Sequence, residues 1–279
     1  MPRPALPAAV PPLRRALAGL CTLLVLGALL AGLPTTPARA GSARRPNPNV
    51  LWHIVHDRCV PDLRQFHTPL PCIAVHPRAG YALLKDLDGR TQVLLIPTAR
   101  VTGIEDPAVR APGAPDYLAL AWANRGTVRA LAGRALAREA IALAVNSIAG
   151  RTQNQLHIHL DCIRPDVAAT IAAQLGAVGT RFAPFPAPLP GGPYLARRLD
   201  TLSLVGINPF RLLAAEVPGA AAAMGRWSLG LVPVVLPSHA APGFVLLASE
   251  TDPARHHVAA AERLQDHTCA LAGARSGGG

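Results

Sequence analysis

The sequence predicts an α+β fold built around an antiparallel sheet. Polar and apolar residues alternate without a break over residues 155–162, which is the period-2 pattern of a half-buried strand. Residues 81–85 and 92–97 have the composition of two further strands, and Asp88-Gly89 between them is a hairpin turn signal. Helical patterns occur on both sides of the 155–162 strand, so the chain combines a sheet with packed helices.

The other elements of a first unit, residues 41–182, follow from the same patterns. Pro115-Asp116 begins a long helix, and Pro165-Asp166 begins a second helix with an acidic residue in its first turn. In chain order, the predicted elements are a helix at 49–58, a polar loop at 61–71, strands at 73–75, 81–85 and 92–97, a helix at 115–133, strands at 139–146 and 155–162, and a helix at 165–175.

The C-terminal third is predicted to be a smaller α+β extension, residues 194–272, packed on the first unit. Residues 183–193 are rich in proline and glycine, which indicates a linker or a stiff surface loop. Residues 273–279 are predicted to be a flexible tail. Within the extension, we expect a helix at 209–224, strands at 229–236 and 244–249, and a last helix at 254–271.

The first forty residues have the layout of an export segment. Arg3, Arg14 and Arg15 precede an uncharged apolar run at 16–33, and Ala38-Arg39-Ala40 is an A-x-A cleavage pattern. The run is also near the shortest length that spans a bilayer, so residues 1–40 are either a signal peptide or an N-terminal membrane anchor. Both alternatives place the rest of the chain outside the cytoplasm.

Cysteine usage agrees with an oxidising compartment. Cys21 lies in the apolar run, which leaves four cysteines in the remaining chain. Four cysteines allow three connectivities. We favour Cys59–Cys72, which closes a short loop, and Cys162–Cys269, which ties the C-terminus to the 155–162 strand; buried free thiols are the alternative.

The net charge of +11 does not indicate a nucleic-acid-binding protein. Arg3, Arg14, Arg15 and Arg39 belong to the export segment, and no interleaving of aromatic and basic residues follows them. The moderately basic remainder suits an anionic substrate or an anionic membrane surface.

The polar face of the 155–162 strand carries the residues that can do chemistry. Gln155, His157, His159 and Asp161 share this face because side chains in a strand alternate. Three interpretations compete: a solvated strand face, a zinc site whose third ligand is Asp161 or a distant histidine, and nucleophilic catalysis by one imidazole with the other as its acid–base partner.

A family resemblance favours catalysis. The chain resembles the bacterial CDP-diacylglycerol pyrophosphatases, which are membrane-associated members of the histidine-triad superfamily. The resemblance rests on the segments Gln153-Asn154-Gln155-Leu156-His157-Ile158-His159, Cys162-Ile163-Arg164-Pro165-Asp166, Gly150-Arg151-Thr152, Tyr194-Leu195-Ala196-Arg197-Arg198 and Gln265-Asp266-His267, with others between residues 49 and 271.

The resemblance implies a HIT-like antiparallel sheet with flanking helices and a role for each site residue. His157 matches the nucleophile of the triad, His159 matches the third position, and Gln155 replaces the first histidine. Asn146, Thr152 and Gln153 fall where the superfamily places polar groups that hold phosphate, and Gln155 is expected to help them. Lys85, Arg100 and Arg151 are expected to balance phosphate charge, with simple surface solvation as the alternative.

The implied activity is hydrolysis of CDP-diacylglycerol to CMP and phosphatidate through a CMP–His157 intermediate, at the outer face of the bacterial inner membrane. No acidic cluster indicates a bound Mg²⁺, so we expect a reaction that needs neither metal nor cofactor. The alternatives are an enzyme acting on another CDP-linked substrate and a non-catalytic envelope protein that binds a nucleotide or a lipid.

Overall fold

The fold is a nine-stranded antiparallel sheet with helices on both faces, in a computed structural model that describes residues 47–236 and 241–269. The strands lie in the order β1-β2-β3-β5-β4-β8-β9-β7-β6. Their bounds are β1 Ala74–His76, β2 Tyr81–Lys85, β3 Val93–Pro97, β4 Ile141–Val145, β5 Ile158–Cys162, β6 Ala183–Pro184, β7 Leu195–Leu199, β8 Trp227–Val235 and β9 Pro242–Glu250. The predicted α+β class and antiparallel sheet are confirmed.

The helices are short, and several have end residues that explain where they start or stop. Pro165 and Pro209 occupy first-turn positions, and the Asn208 side chain accepts a hydrogen bond from the Arg211 N–H at 3.1 Å. Gly133, with φ +66°, ends the helix before it. The helices are α1 Val50–Ile54, α2 Val60–Phe66, α3 Tyr117–Ala123, α4 Gly126–Ala132, α5 Pro165–Gln174 and α6 Pro209–Glu216.

Two helical predictions need correction. The predicted loop at 61–71 is helical as far as Phe66, because the π-helical turn Val55–Cys59 joins α1 to α2 and Pro61 falls in the first turn of α2. The predicted helix at 115–133 is divided into α3 and α4. The side chain of Asn124 lies at the break, where it donates to the Tyr81 hydroxyl and the Leu120 carbonyl and so competes with the helical pattern.

The predicted last helix, at 254–271, is wrong for its described residues. Residues 253–269 contain two short 3₁₀ turns, Pro253–Arg255 and Ala261–Leu264, in an otherwise irregular segment. Its backbone groups bond to other parts of the chain: Ser147 N–H donates to Ala259 O, Arg164 N–H to Leu264 O, and the Asp266 N–H to Cys162 O. Tertiary hydrogen bonds replace the helical ones, and the segment lies against the central strands.

The two faces of the sheet are covered differently. The large core cluster covers one face, where α3, α4 and α6 pack against the central strands, and it contains all four residues of the predicted apolar face of the 155–162 segment (Leu156, Ile158, Leu160 and Cys162). The opposite face has two separate clusters: α1 and α2 lie over β1–β3, whereas α5 and the C-terminal segment lie over β4, β8 and β9. β5 lies between these two clusters, with its polar side chains in the gap.

The sheet runs through both predicted units, since β4 pairs with β8 and β7 pairs with β9. Within the 183–193 segment, Ala183–Pro184 forms β6 and pairs with β7. The division into residues 41–182, 183–193 and 194–272 stays a prediction, and residues 1–40 and 273–279 lie outside the described residues. Among the described residues, no helix has the length and apolar character needed to cross a bilayer.

Candidate active site

His157 and His159 lie together in the gap on the polar face of the sheet. His157 immediately precedes β5, and His159 is inside it, paired with Leu94 of β3 and Ala144 of β4. The two imidazole rings meet edge to face with their centroids 4.9 Å apart, and they are 8% and 5% exposed. Histidine is seldom almost fully buried, and two such imidazoles in contact are rarer still, so the arrangement favours a chemical role for the pair.

The backbone fixes the protonation state of His157. Its Nδ1 lies 2.7 Å from the carbonyl oxygen of Gln155. Because a carbonyl oxygen can only accept, Nδ1 carries the proton and Nε2 carries the free lone pair. Burial, followed by the neighbouring His159, lowers the pKa of His157 to about 4. The ring is therefore neutral at neutral pH, with a nucleophilic nitrogen.

His159 has the opposite tautomer. Its Nδ1 lies 2.5 Å from Nε2 of Gln92, which donates to it, so the ring proton is on Nε2. That nitrogen is 3.2 Å from Oε2 of Glu262, at an angle that makes no hydrogen bond. Burial, followed by the positive charge of His267, lowers the pKa of His159 to about 4. His159 is a neutral ring whose N–H is buried and unpaired.

Both imidazoles line a cavity of about 570 Å³ with two unlike walls. One wall is polar and consists of the histidines, Glu262 and the loop before β5. The other consists of α1 and the β2–β3 hairpin, and it combines apolar side chains such as Leu51, Ile54 and Leu87 with the charged Lys85, Asp86 and Asp88. A cavity of this kind suits a substrate with a charged group at its reacting centre and apolar parts beside it.

The family follows from a comparison with known proteins. Residues 46–273 match the model of the family described as CDP-diacylglycerol pyrophosphatase. The chain belongs to this family. It is a hydrolase that acts on the pyrophosphate bond of CDP-diacylglycerol, and the resemblance drawn from the sequence motifs is confirmed.

Five of the predicted phosphate-binding residues of this CDP-diacylglycerol pyrophosphatase line the cavity: Lys85, Asn146, Arg151, Thr152 and Gln153. Asn146 is buried, and its Oδ1 accepts from the Glu262 N–H at 3.2 Å. The Gln153 side chain accepts from the Leu51 N–H at 3.1 Å, so it also holds the start of α1. The structure therefore places these residues around the histidines, although their contact with phosphate stays a prediction.

Gln155 lies elsewhere. It is fully buried, and its Nε2 donates to the carbonyls of Pro97 and Ala99 at 3.0 and 2.9 Å. Its Oε1 accepts from the Val101 N–H at 3.4 Å. The side chain is used by the loop after β3 and is not among the residues that line the cavity, while its contact with the substrate stays a prediction. It precedes β5, which begins at Ile158.

The three predicted cations differ in availability. Arg100 does not line the cavity: its Nη2 donates to Asn49 Oδ1 at 2.6 Å, and its guanidinium lies 5.4 Å from the centre of the Trp52 ring. Arg151 lines the cavity but forms a two-point ion pair with Glu105, with N–O distances of 2.7 and 2.6 Å. Lys85 Nζ donates to the carbonyls of Asp86 and Gly89. Neither cavity cation is a free charge.

The sequence did not assign roles to three further residues beside the histidines. Gln92 begins the stretch that leads into β3, while Glu262 and His267 come from the C-terminal segment. His267 lies in a motif that contributed to the family resemblance, which was the only signal for it. Glu262 and Gln92 had none, because their approach to His159 depends on how distant segments pack.

Both favoured disulfides are present in the structure. Cys59–Cys72 joins the π-helical turn to the segment before β1. Cys162–Cys269 links the end of β5 to the C-terminal segment, two residues after His267. Within residues 47–236 and 241–269, no group of three or more His, Cys, Asp or Glu side chains is arranged to hold a metal ion. Metal independence of the reaction stays a prediction.

Proposed function

We propose that this pyrophosphatase cleaves CDP-diacylglycerol through a covalent intermediate in which CMP is bonded to Nε2 of His157. The observation that carries the proposal is the hydrogen bond from His157 Nδ1–H to Gln155 O, 2.7 Å long. It leaves the lone pair on Nε2, in a ring that is neutral because its pKa is about 4. A neutral imidazole with an oriented lone pair is a good nucleophile for phosphorus.

His159 supplies a hydrogen bond in this scheme. Its Nε2–H is buried without a partner, and such a donor is costly unless a substrate oxygen completes it. We expect a phosphoryl oxygen to take this position and His159 to stabilise the charge that builds up on it. The hydrogen bond that Gln92 donates to Nδ1 keeps the ring proton on Nε2, and Oε2 of Glu262 lies 3.2 Å from that nitrogen.

The experiment traps the intermediate. Full-length protein is mixed with CDP-diacylglycerol labelled in the CMP phosphate, quenched within the first turnovers and analysed for a bound label and its site. Wild type should carry label on His157, whereas His157→Ala should carry none and lose turnover. His56→Ala is the matched control, because His56 is an exposed residue of the π-helical turn Val55–Cys59 and does not line the cavity. A His157→Ala rate within tenfold of wild type, about 1.4 kcal/mol of barrier, excludes the covalent role.

We also propose that the enzyme works at the surface of the bacterial inner membrane, on its outer face, in phospholipid metabolism. The apolar run at 16–33 and the substrate's lipid tails support this location. Exposed apolar side chains also surround the cavity mouth: Leu87, which lines the cavity, is 99% exposed, and Leu70, next to the lining residue Pro71, is 62% exposed.

A paired substitution tests the membrane contact. Leu87→Ser, in the cavity lining, with Leu70→Ser, next to the lining residue Pro71, should slow hydrolysis of long-chain CDP-diacylglycerol in phosphatidylglycerol vesicles more than hydrolysis of a short-chain, monomeric analogue. The control is Leu202→Ser with Val205→Ser, which removes side chains of similar exposure that do not line the cavity. Equal rates for both pairs on vesicles contradict a membrane contact at the cavity mouth.

A further inference from the structure

A third imidazole faces the cavity from outside the histidine strand. His267 lies on the C-terminal segment, and its Nδ1 is 2.7 Å from Oδ2 of Asp161. Asp161 is fully buried on β5, whereas the His267 side chain is 40% exposed. The pair therefore has a buried carboxylate at one end and an imidazole that reaches the cavity at the other.

The carboxylate of Asp161 is held in a fixed orientation. Its Oδ1 accepts from the Thr91 hydroxyl at 2.6 Å and from the Cys162 N–H at 2.8 Å, which leaves Oδ2 for His267. Because an ionised carboxylate only accepts, Nδ1 of His267 must carry a proton. A proton on the second nitrogen, Nε2, makes the ring an imidazolium that can donate to a group in the cavity.

The surroundings of His267 favour this imidazolium. The hydrogen bond to Asp161 raises its pKa above the ordinary histidine value, and the negative charges of Glu262 and Asp88 raise it further, although partial burial acts in the opposite direction. The neighbouring cation Lys85 is held by the hairpin carbonyls, and His159 is neutral. Among the three described imidazoles that line the cavity, His267 is thus the one whose pKa is raised, so it stays protonated to a higher pH than His157 or His159.

Two contacts fix the position of His267. A Cβ on Gly89, in the β2–β3 hairpin, would come within 2.7 Å of the His267 Cβ, so the hairpin backbone packs directly against this residue. The Cys162–Cys269 disulfide ties the segment to the end of β5 on the other side. The hairpin and the disulfide therefore hold the C-terminal segment in place, with His267 at the cavity.

We propose that His267 is the general acid of the reaction and protonates the departing phosphatidate. This rests on the proposed His157 intermediate. Nε2 of His157 forms a bond to the CMP phosphorus, and the bond from that phosphorus to the bridging oxygen breaks. The electron pair stays on the phosphatidate oxygen, which takes the proton from Nε2 of His267. Water then attacks the CMP phosphorus and returns a proton to His267, and the nitrogen–phosphorus electron pair returns to His157.

His159 is less suited to this step. Its pKa of about 4 leaves it neutral at neutral pH, and a neutral imidazole is a very weak acid. His267 compensates for the incomplete triad, in which Gln155 is turned away into the loop after β3. In this site the strand provides the nucleophile and the oxyanion donor, and the C-terminal segment provides the acid.

The test compares two leaving groups. With CDP-diacylglycerol, His267→Gln should reduce kcat by about 100-fold or more, the usual contribution of a general acid. With the 2,4-dinitrophenyl ester of CMP, whose phenolate is a much weaker base than the phosphatidate oxygen and leaves without a proton, the same variant should lose less than about 5-fold. His76→Gln is the control, since His76 is exposed on β1 and does not line the cavity. Equal losses with both substrates overturn the acid role.

The wild-type protein provides a second measurement that does not depend on the folding of a variant. Its kcat/KM for CDP-diacylglycerol should fall as pH rises through the raised pKa of His267, and the 2,4-dinitrophenyl ester should not show this alkaline limb. The same limb with both substrates, or with neither, overturns the proposal. Failure to trap a His157 adduct would instead refute the proposed nucleophile, so the two failures are distinguishable.

Discussion

Replacement of Gln155 by methionine should destabilise the protein far more than it impairs catalysis. Methionine is similar in length but cannot donate to the carbonyls of Pro97 and Ala99 or accept from the Val101 N–H. The bonds to Pro97 and Val101 are buried with Gln155, which is 0% exposed, whereas the bond to Ala99 is partly buried. The hydrogen bond from His157 Nδ1–H goes to the Gln155 backbone oxygen and is kept in the variant.

The expected loss follows from the groups left unpaired. Each buried polar group without a partner costs about 1–3 kcal/mol, and three weak or adjacent contacts do not add fully. We expect a loss of about 3 kcal/mol in the free energy of unfolding, roughly a hundredfold in the unfolding equilibrium constant. The kcat/KM of the folded protein should change by less than about tenfold, or 1.4 kcal/mol.

Urea unfolding followed by tryptophan fluorescence measures the first quantity, and initial rates at a temperature well below unfolding measure the second. Gln65→Met is the matched control, because Gln65 is exposed on α2 and should lose little stability. The reasoning is refuted if Gln155→Met keeps its unfolding free energy within about 0.5 kcal/mol while kcat/KM falls a hundredfold. That result would mean that Gln155 acts on the substrate.

Three further predictions follow from the structure. Reduction of Cys162–Cys269, whose partners are 107 residues apart, should clearly lower the melting temperature. Closing a loop of that length contributes about 4–5 kcal/mol to stability before any strain is subtracted. Four alkylatable thiols in the non-reduced protein would contradict the presence of the disulfides. Excess EDTA should leave activity unchanged, and loss that zinc restores would indicate a metalloenzyme. The free energy of unfolding should fall by a few kcal/mol as pH decreases from about 6.5 to about 4. In this range His157 and His159 bind protons in the unfolded chain but not in the folded protein. Replacing both histidines by glutamine should flatten this pH dependence.

The sequence alone was sufficient to place the two neighbouring histidines and the central strands. The alternation around His157 and His159 predicted which side chains face the core, and Leu156, Ile158, Leu160 and Cys162 are all in the large cluster. The hairpin signal at Asp88-Gly89 likewise placed β2 beside β3. These features depend on local periodicity and turn chemistry, which are properties of short segments.

The last helical prediction failed because tertiary contacts decided the segment. Alanine and leucine at 254–271 have good helix propensity, yet the backbone of the described part bonds to Ser147, Arg164 and Cys162. These three hydrogen bonds to other segments outweigh the weak intrinsic preference of the sequence for a helix. The same packing brings Glu262 and His267 into contact with residues of β5. Both lie more than a hundred positions after His157 and His159 in the sequence.

The sequence by itself determined the family, the two strand histidines and the cysteines available for bridging. Only the tertiary structure decided that Gln155 supports a loop, that Arg100 lies outside the cavity, and that Asp161 is paired with His267. The physical reason is that a side chain's partner depends on which segments meet across the sheet. Pattern and composition describe what a residue can do, while the fold selects which group it meets.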